Sequence, residues 1–207
     1  MIEHVARADF TVRAFHLSAE SDDVRLMRGM RIVDVDAMLA FVRRSHLHDD
    51  PNSYIRRPFE RKPLDQRASR YSDGTWGVYY AAPEVETTKA EIGHHARGWV
   101  RDLGYPVFYR KVEAEFAGNV KDLRDQVAAL PCLMAEPPDG YTQCNLIAAE
   151  AKAEGLGALR VPAVRRPGSE CLPVFVQDSL RNATLGQWFR FEVDAAGAVQ
   201  ITDHRVP

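Results

Sequence analysis

Polar and apolar residues along the 207-residue chain recur with two different periods. From Phe10 to Phe15 the period is two, which puts Phe10, Val12 and Ala14 on one face of a strand. After the polar turn SAESDD the period becomes helical. Asp34 stands as a cap, and Val35, Met38, Leu39 and Val42 fall at i, i+3, i+4 and i+7, up to about residue 44. Prolines at 51, 58 and 63 then argue against a long helix. Residues 72–74, Ser-Asp-Gly, are turn chemistry, and 76–82 read as an aromatic-rich strand. Residues 84–99 read as a helix, acidic in its first turn and with Arg97 and Arg101 near its end. Gly93 weakens that helix by about 1 kcal/mol relative to alanine, so packing has to hold it. Residues 107–116 alternate again, with Phe108, Val112, Ala114 and Phe116 on one face, and residues 121–124 begin a short turn or helix. Thr142 can cap a helix that ends at Gly155 or Gly157. Strands over 158–164, 171–177 and 187–193 follow, and the last turns through Asp-Ala-Ala-Gly into a partner at 198–202. Strands and helices mix without regular βαβ alternation. The pattern predicts one α+β domain over 1–207 with a curved, largely antiparallel sheet.

Composition narrows the classes. The 45% hydrophobic and 27% charged content is that of a soluble globular protein. A net charge of -2 gives no general attraction to nucleic acid or to an anionic membrane. No apolar run approaches membrane-spanning length and the first residues lack a signal-peptide core, so a cytoplasmic protein is expected. Cys132, Cys144 and Cys171 are odd in number and widely spaced, which predicts reduced, mostly buried thiols.

Several chemistry-bearing patterns weaken on inspection. Gly155-Leu-Gly157 lacks the third glycine and the preceding strand of a dinucleotide loop, and reads as a helix end. His46, His48, Asp49 and Asp50, or the pair His94 and His95, lack a further ligand at motif spacing, so no metal is expected. The basic stretch with Arg56, Arg57, Arg61, Lys62, Arg67 and Arg70 is either a solvated loop or a set of guanidinium groups for a phosphate-bearing ligand.

The stretch RYSDGTWGVYYAAPEVETTKAE, residues 70–91, stands apart. Arg70 precedes the strand, Tyr80 lies ten residues on near its end, and Glu91 lies eleven further on the helix. A strand followed by a helix that folds back brings such positions together. Arginine neutralises pyrophosphate, an aromatic ring packs on nicotinamide or ribose, and a carboxylate favours an oxocarbenium-like transition state. Those are the parts needed to bind NAD+ and cleave its nicotinamide–ribose bond. A buried Arg–Glu pair or a surface glutamate accounts for the same spacing.

This stretch resembles the signature of the RES-domain family, toxins of bacterial toxin–antitoxin modules paired with an Xre-like antitoxin. A second segment, AVRRPGSECLPVF at 163–175, is similar to the family's late segment, and the two occur in family order. The resemblance implies a fold related to ADP-ribosylating toxins and NAD+ as substrate. It implies ADP-ribosyl transfer to a protein target in some members and hydrolysis or phosphorolysis of NAD+ in others. Carried over by residue, it gives Arg70 a phosphate- or ribose-binding role, Tyr80 the aromatic role and Glu91 the catalytic role, with Tyr71 beside them in the binding set. The chain departs from the family in two places. Ala163 stands where the family carries a serine before its late arginine, and Ser169 is the nearby candidate. The family's early arginine corresponds to Arg13 or Arg31. The missing serine keeps one other class open, a module that binds NAD+ without turning it over.

Overall fold

The structure is a computed structural model that describes residues 2–19, 50–60, 68–103, 106–136 and 139–204. The helix expected from Asp34, and with it Arg31, His46, His48, Asp49, Arg61, Lys62 and Arg67, lie outside the described residues.

In chain order the described elements are β1 (Arg7–Ala19), α1 (Pro51–Arg56), β2 (Tyr79–Ala81), α2 (Val85–Leu103), β3 (Val107–Asp122), α3 (Asp139–Ala153), β4 (Ala158–Pro162), β5 (Glu170–Val174), β6 (Leu180–Val193) and β7 (Val199–His204). The strands form one seven-stranded sheet in the order β2-β5-β4-β3-β6-β7, with β1 also paired to β3. Every pairing is antiparallel except β3 with β4, which is parallel over three residues of β3, Val120 to Asp122. The fold is α+β, as the irregular mixing of strands and helices along the chain predicts.

Long β3 organises the curvature. It pairs with β1 along nearly its whole length, with β6 over its first half, and with β4 at its end. Register shifts between Arg110 and Val112 and between Glu113 and Glu115 bend it. Paired main-chain hydrogen bonds between Phe15 and Ala82 then link β1 to the end of β2, at 2.8 and 3.0 Å. The path β3-β1-β2-β5-β4 thereby returns to β3. Its interior is apolar: Ala14, Tyr79, Ala81, Ala114, Phe116, Val120, Ala158, Leu172 and Val174 pack there. Successive strand residues face opposite ways. With Tyr79 and Ala81 turned in, Tyr80 faces out, and with Leu172 and Val174 turned in, Cys171 faces out. Both join the second core, where Ile147, Ala148 and Ala151 of α3 cover this side of the sheet.

On the third core α2 lies against β6 and β7, through Ala96 and Val100 on Phe189 and Phe191. Gly93 shows why the packing tolerates a weak helix former: its bare Cα faces Ile201, Val199 and Phe191. The hairpin predicted at residues 194–197 forms, with the Asp194 carboxylate accepting from Ala196 and Ala198 and Gly197 at positive φ.

Element bounds differ from the sequence reading in places. The aromatic strand is three residues rather than seven, because Ser72 and Asp73 hold residues 72–76 in a side-chain-bonded turn. Gly77 passes so close to the Pro58 carbonyl that a Cβ would overlap it. Helix α3 begins at Asp139, three residues before Thr142, so Thr142 is not its cap. It ends as expected, with Gly155 at φ +70°. Residues 121 and 122 continue β3, and the turn expected there begins later, as the 3-10 segment Arg124–Gln126. In the basic stretch, Arg56 is paired with Asp50 and Glu60, and Arg57 lies over the Tyr54 ring. Arg56 and Arg57 are thus engaged with neighbours on their own surface.

Candidate active site at the turn before β2

The turn that carries Arg70 is locked from within. Ser69 and Ser72 exchange main-chain hydrogen bonds, the Ser72 hydroxyl donates to the Trp76 carbonyl, and the Trp76 indole donates to the Tyr71 carbonyl. Gly74 takes φ +98°, which its missing Cβ permits. At the corner, Arg70 donates from Nη1 to the carbonyl of Cys132 at 3.0 Å, and its guanidinium lies 5.2 Å from the centre of the Tyr141 ring on α3.

Tyr80 meets the same turn with its hydroxyl. The oxygen accepts from the main-chain N–H of Tyr71 at 3.0 Å and is 2.8 Å from the Ser69 hydroxyl. Burial, opposed by these two hydrogen bonds, pushes the phenol up to about 12, so it stays neutral. Behind it, His16 of β1 holds the Tyr80 carbonyl at 2.6 Å. Tyr71 itself is 3% exposed, and its hydroxyl has no hydrogen-bond partner among the described residues. Burial raises its pKa, and the hydroxyl lies in the field of Cys144, Arg70, Tyr80 and Cys171. A buried hydroxyl left without a partner is costly and suits a polar ligand atom or an ordered water.

Glu91 comes from α2. Its Oε1 accepts from the main-chain N–H of Arg165, in the β4–β5 loop, at 3.0 Å, and the Cys171 thiol lies 3.9 Å from the same oxygen. Burial pushes that thiol up, with Glu91 adding to the effect and Arg70 opposing it. The Arg165 guanidinium forks onto both oxygens of Glu136 at 2.6 Å and reaches His94 Nε2 at 3.0 Å. Hydrogen bonding to Arg165 holds the Glu136 carboxyl below its ordinary range. His95 titrates below an ordinary histidine, first through desolvation, then through His94, Arg165 and Arg70, with Glu91 opposing.

Arg70, Tyr80 and Glu91 therefore share neighbours. Arg70 and Glu91 both act on Cys171 and His95, and Tyr141 lies within electrostatic range of Tyr80, Arg70 and Arg165. A turn, a strand, a helix, the start of α3 and the β4–β5 loop all contribute to this one region.

Ser169 sits one helical turn away. Its hydroxyl meets Arg166 at 2.9 Å, and Arg166 also holds Thr87 at 2.9 Å and pairs with Glu84. Thr87 and Glu91 are four residues apart and so lie on one face of α2. Ser169 lines a cavity of about 210 Å³ with Glu84, Thr87, Arg124, Arg160 and Glu170. Arg70, Tyr80 and Glu91 do not line that cavity. Arg13 of β1 pairs with a carboxylate of the neighbouring strand. It is largely exposed and paired with Glu113 at 3.0 Å, and the early-strand residue that reaches the site is His16. Arg165, Glu136, Tyr141 and Cys171 have no motif spacing relative to Arg70. Only the similarity of the late segment marked the neighbourhood of two of them.

The RES domain family model matches residues 41–194, well over half of the chain. The chain belongs to the RES domain family. Among solved structures, a chain of the crystal structure of the M. tuberculosis MbcT–MbcA toxin–antitoxin complex is similar at 13% identity, covering 87% of this chain and 86% of that one with a TM-score of 0.49. No curated protein matches. Among the described residues, no helix is long and apolar enough to cross a membrane.

Proposed function

We propose that this protein is the toxin of a bacterial toxin–antitoxin module, cleaving the nicotinamide–ribose bond of NAD+ and transferring ADP-ribose to a protein. Membership of the RES domain family supports the toxin class. The observation that carries the chemistry is that Glu91 and Arg70 both act on Cys171, Glu91 with an oxygen 3.9 Å from its thiol, while Arg70 also acts on Tyr71 and Tyr80. One Glu91 oxygen is held by Arg165, which leaves the other to accept from a ribose hydroxyl. A carboxylate placed there stabilises the positive charge that develops on ribose as nicotinamide leaves. Arg70 donates to the pyrophosphate, and the orphaned Tyr71 hydroxyl suits a polar atom of the bound dinucleotide.

The acceptor that attacks the anomeric carbon decides the product. A protein side chain gives ADP-ribosylation, water gives free ADP-ribose, and phosphate gives its phosphorylated form. Incubation with NAD+ labelled in its adenylate half, with and without lysate protein, separates these. Label on a protein supports transfer. Free ADP-ribose or its phosphate without label supports a glycohydrolase or phosphorylase. Intact NAD+ in both arms refutes the enzyme. An Xre-like antitoxin that covers the Arg70 region completes the proposal, and co-expression with it should restore growth that the chain alone arrests.

A further inference from the structure

Tyr80 has the residue type for stacking on a ligand, yet its polar end is committed elsewhere. The phenol oxygen touches Ser69 at 2.8 Å and the Tyr71 amide at 3.0 Å, the two residues that flank Arg70. The ring packs against the second core, and the strand under it is fixed by the His16 contact and by pairing of Tyr80 with Pro173. Tyr80 is thus anchored on its strand and grips both sides of the Arg70 corner. Arg70 in turn is aimed by two further contacts, the Cys132 carbonyl and the Tyr141 ring.

We propose that the Tyr80 hydroxyl is a positioning group that fixes the Ser69–Tyr71 corner and so directs the Arg70 guanidinium at its ligand. This rests on the reading of Arg70 as the group that binds the NAD+ pyrophosphate. A clasp of this kind acts on ligand binding through Arg70 and leaves bond cleavage at Glu91 untouched.

Tyr80→Phe removes the oxygen and keeps the ring. The Tyr71 amide then loses its acceptor, and its hydrogen exchange in the full-length protein should accelerate by roughly tenfold, about what one ordinary hydrogen bond is worth. The KM for NAD+ should rise by a similar factor of about ten while kcat stays within about twofold, the pattern of lost uniform binding. Unchanged exchange at Tyr71 overturns the clasp. Faster exchange with an unchanged KM shows that the corner does not aim Arg70, and also overturns the proposal. A fall in kcat at constant KM does the same, because it reports lost folded enzyme or a direct catalytic role. Wild-type protein that leaves NAD+ intact refutes the proposed function and the role of Arg70 in it. The exchange measurement, which needs no ligand, then decides separately whether the clasp exists.

Discussion

At the residue scale, Glu91 is the position where charge and geometry separate most cleanly. Its Oε1 accepts from Arg165, and a glutamine amide oxygen can accept the same hydrogen bond. Glu91→Gln should therefore keep the fold, read as an unchanged thermal melt, and lose the negative charge. Turnover of NAD+ should fall by about 10²–10³-fold, the loss usual for one removed electrostatic stabiliser. Turnover that survives the substitution removes Glu91 from the mechanism. The residue scale is also where the sequence was most informative. The positions of Arg70, Tyr80 and Glu91 were readable because one turn–strand–helix unit carries all three. The contacts of the Tyr80 hydroxyl with Ser69 and the Tyr71 amide were not readable, since the spacing does not say where a phenol oxygen points. The partner of Arg13 was not readable either. Its strand was correctly expected, but the paired strand presents Glu113 to it.

At the element scale, α2 carries the candidate glutamate, Glu91, on a helix interrupted by glycine. The packing does not require that glycine: a Cβ at 93 would meet Ile201 at 3.5 Å and Val199 at 3.8 Å, ordinary contact distances. Gly93→Ala should fit and add helix propensity, raising stability by up to about 1 kcal/mol, measured as an increased urea midpoint. A lowered midpoint would mean that the β7 face does not tolerate even a methyl group. Periodicity gave α2, β1, β3 and the final hairpin, since each buries one face in a regular pattern. It overextended β2, where the hydrogen bonds of Ser72 and Asp73 hold the preceding residues in a turn.

At the scale of the whole molecule, the junction of β3, β4 and β5 is tied by charge. Asp122 accepts from Arg124 at 2.8 Å and from Arg160 at 3.0 Å, and both arginines also meet Glu170, at 2.8 and 2.7 Å. Burial alone would raise the Asp122 pKa, but its hydrogen bonds with Arg124 and the charge of Arg160 outweigh it and the net shift is downward. A carboxyl whose folded pKa is depressed stabilises the fold above its unfolded value, and that stability is lost as pH falls through the folded one. Stability should therefore drop as the pH is lowered below about 4, where free aspartate begins to bind protons. Asp122→Asn should reduce the slope of urea midpoint against pH between about 5 and 3. An identical slope in the variant would place the acid sensitivity elsewhere.

The sequence by itself determined the class of elements, the antiparallel bias of the sheet and the linear order of the signature, because these depend on local periodicity and turn chemistry. The return of β1 onto the end of β2, the capture of Glu91 by a main-chain N–H seventy-four residues away, and the grip of Tyr80 on the Arg70 corner were decided only in three dimensions. Such contacts depend on how a bent sheet brings distant segments into register, and no spacing along the chain records that.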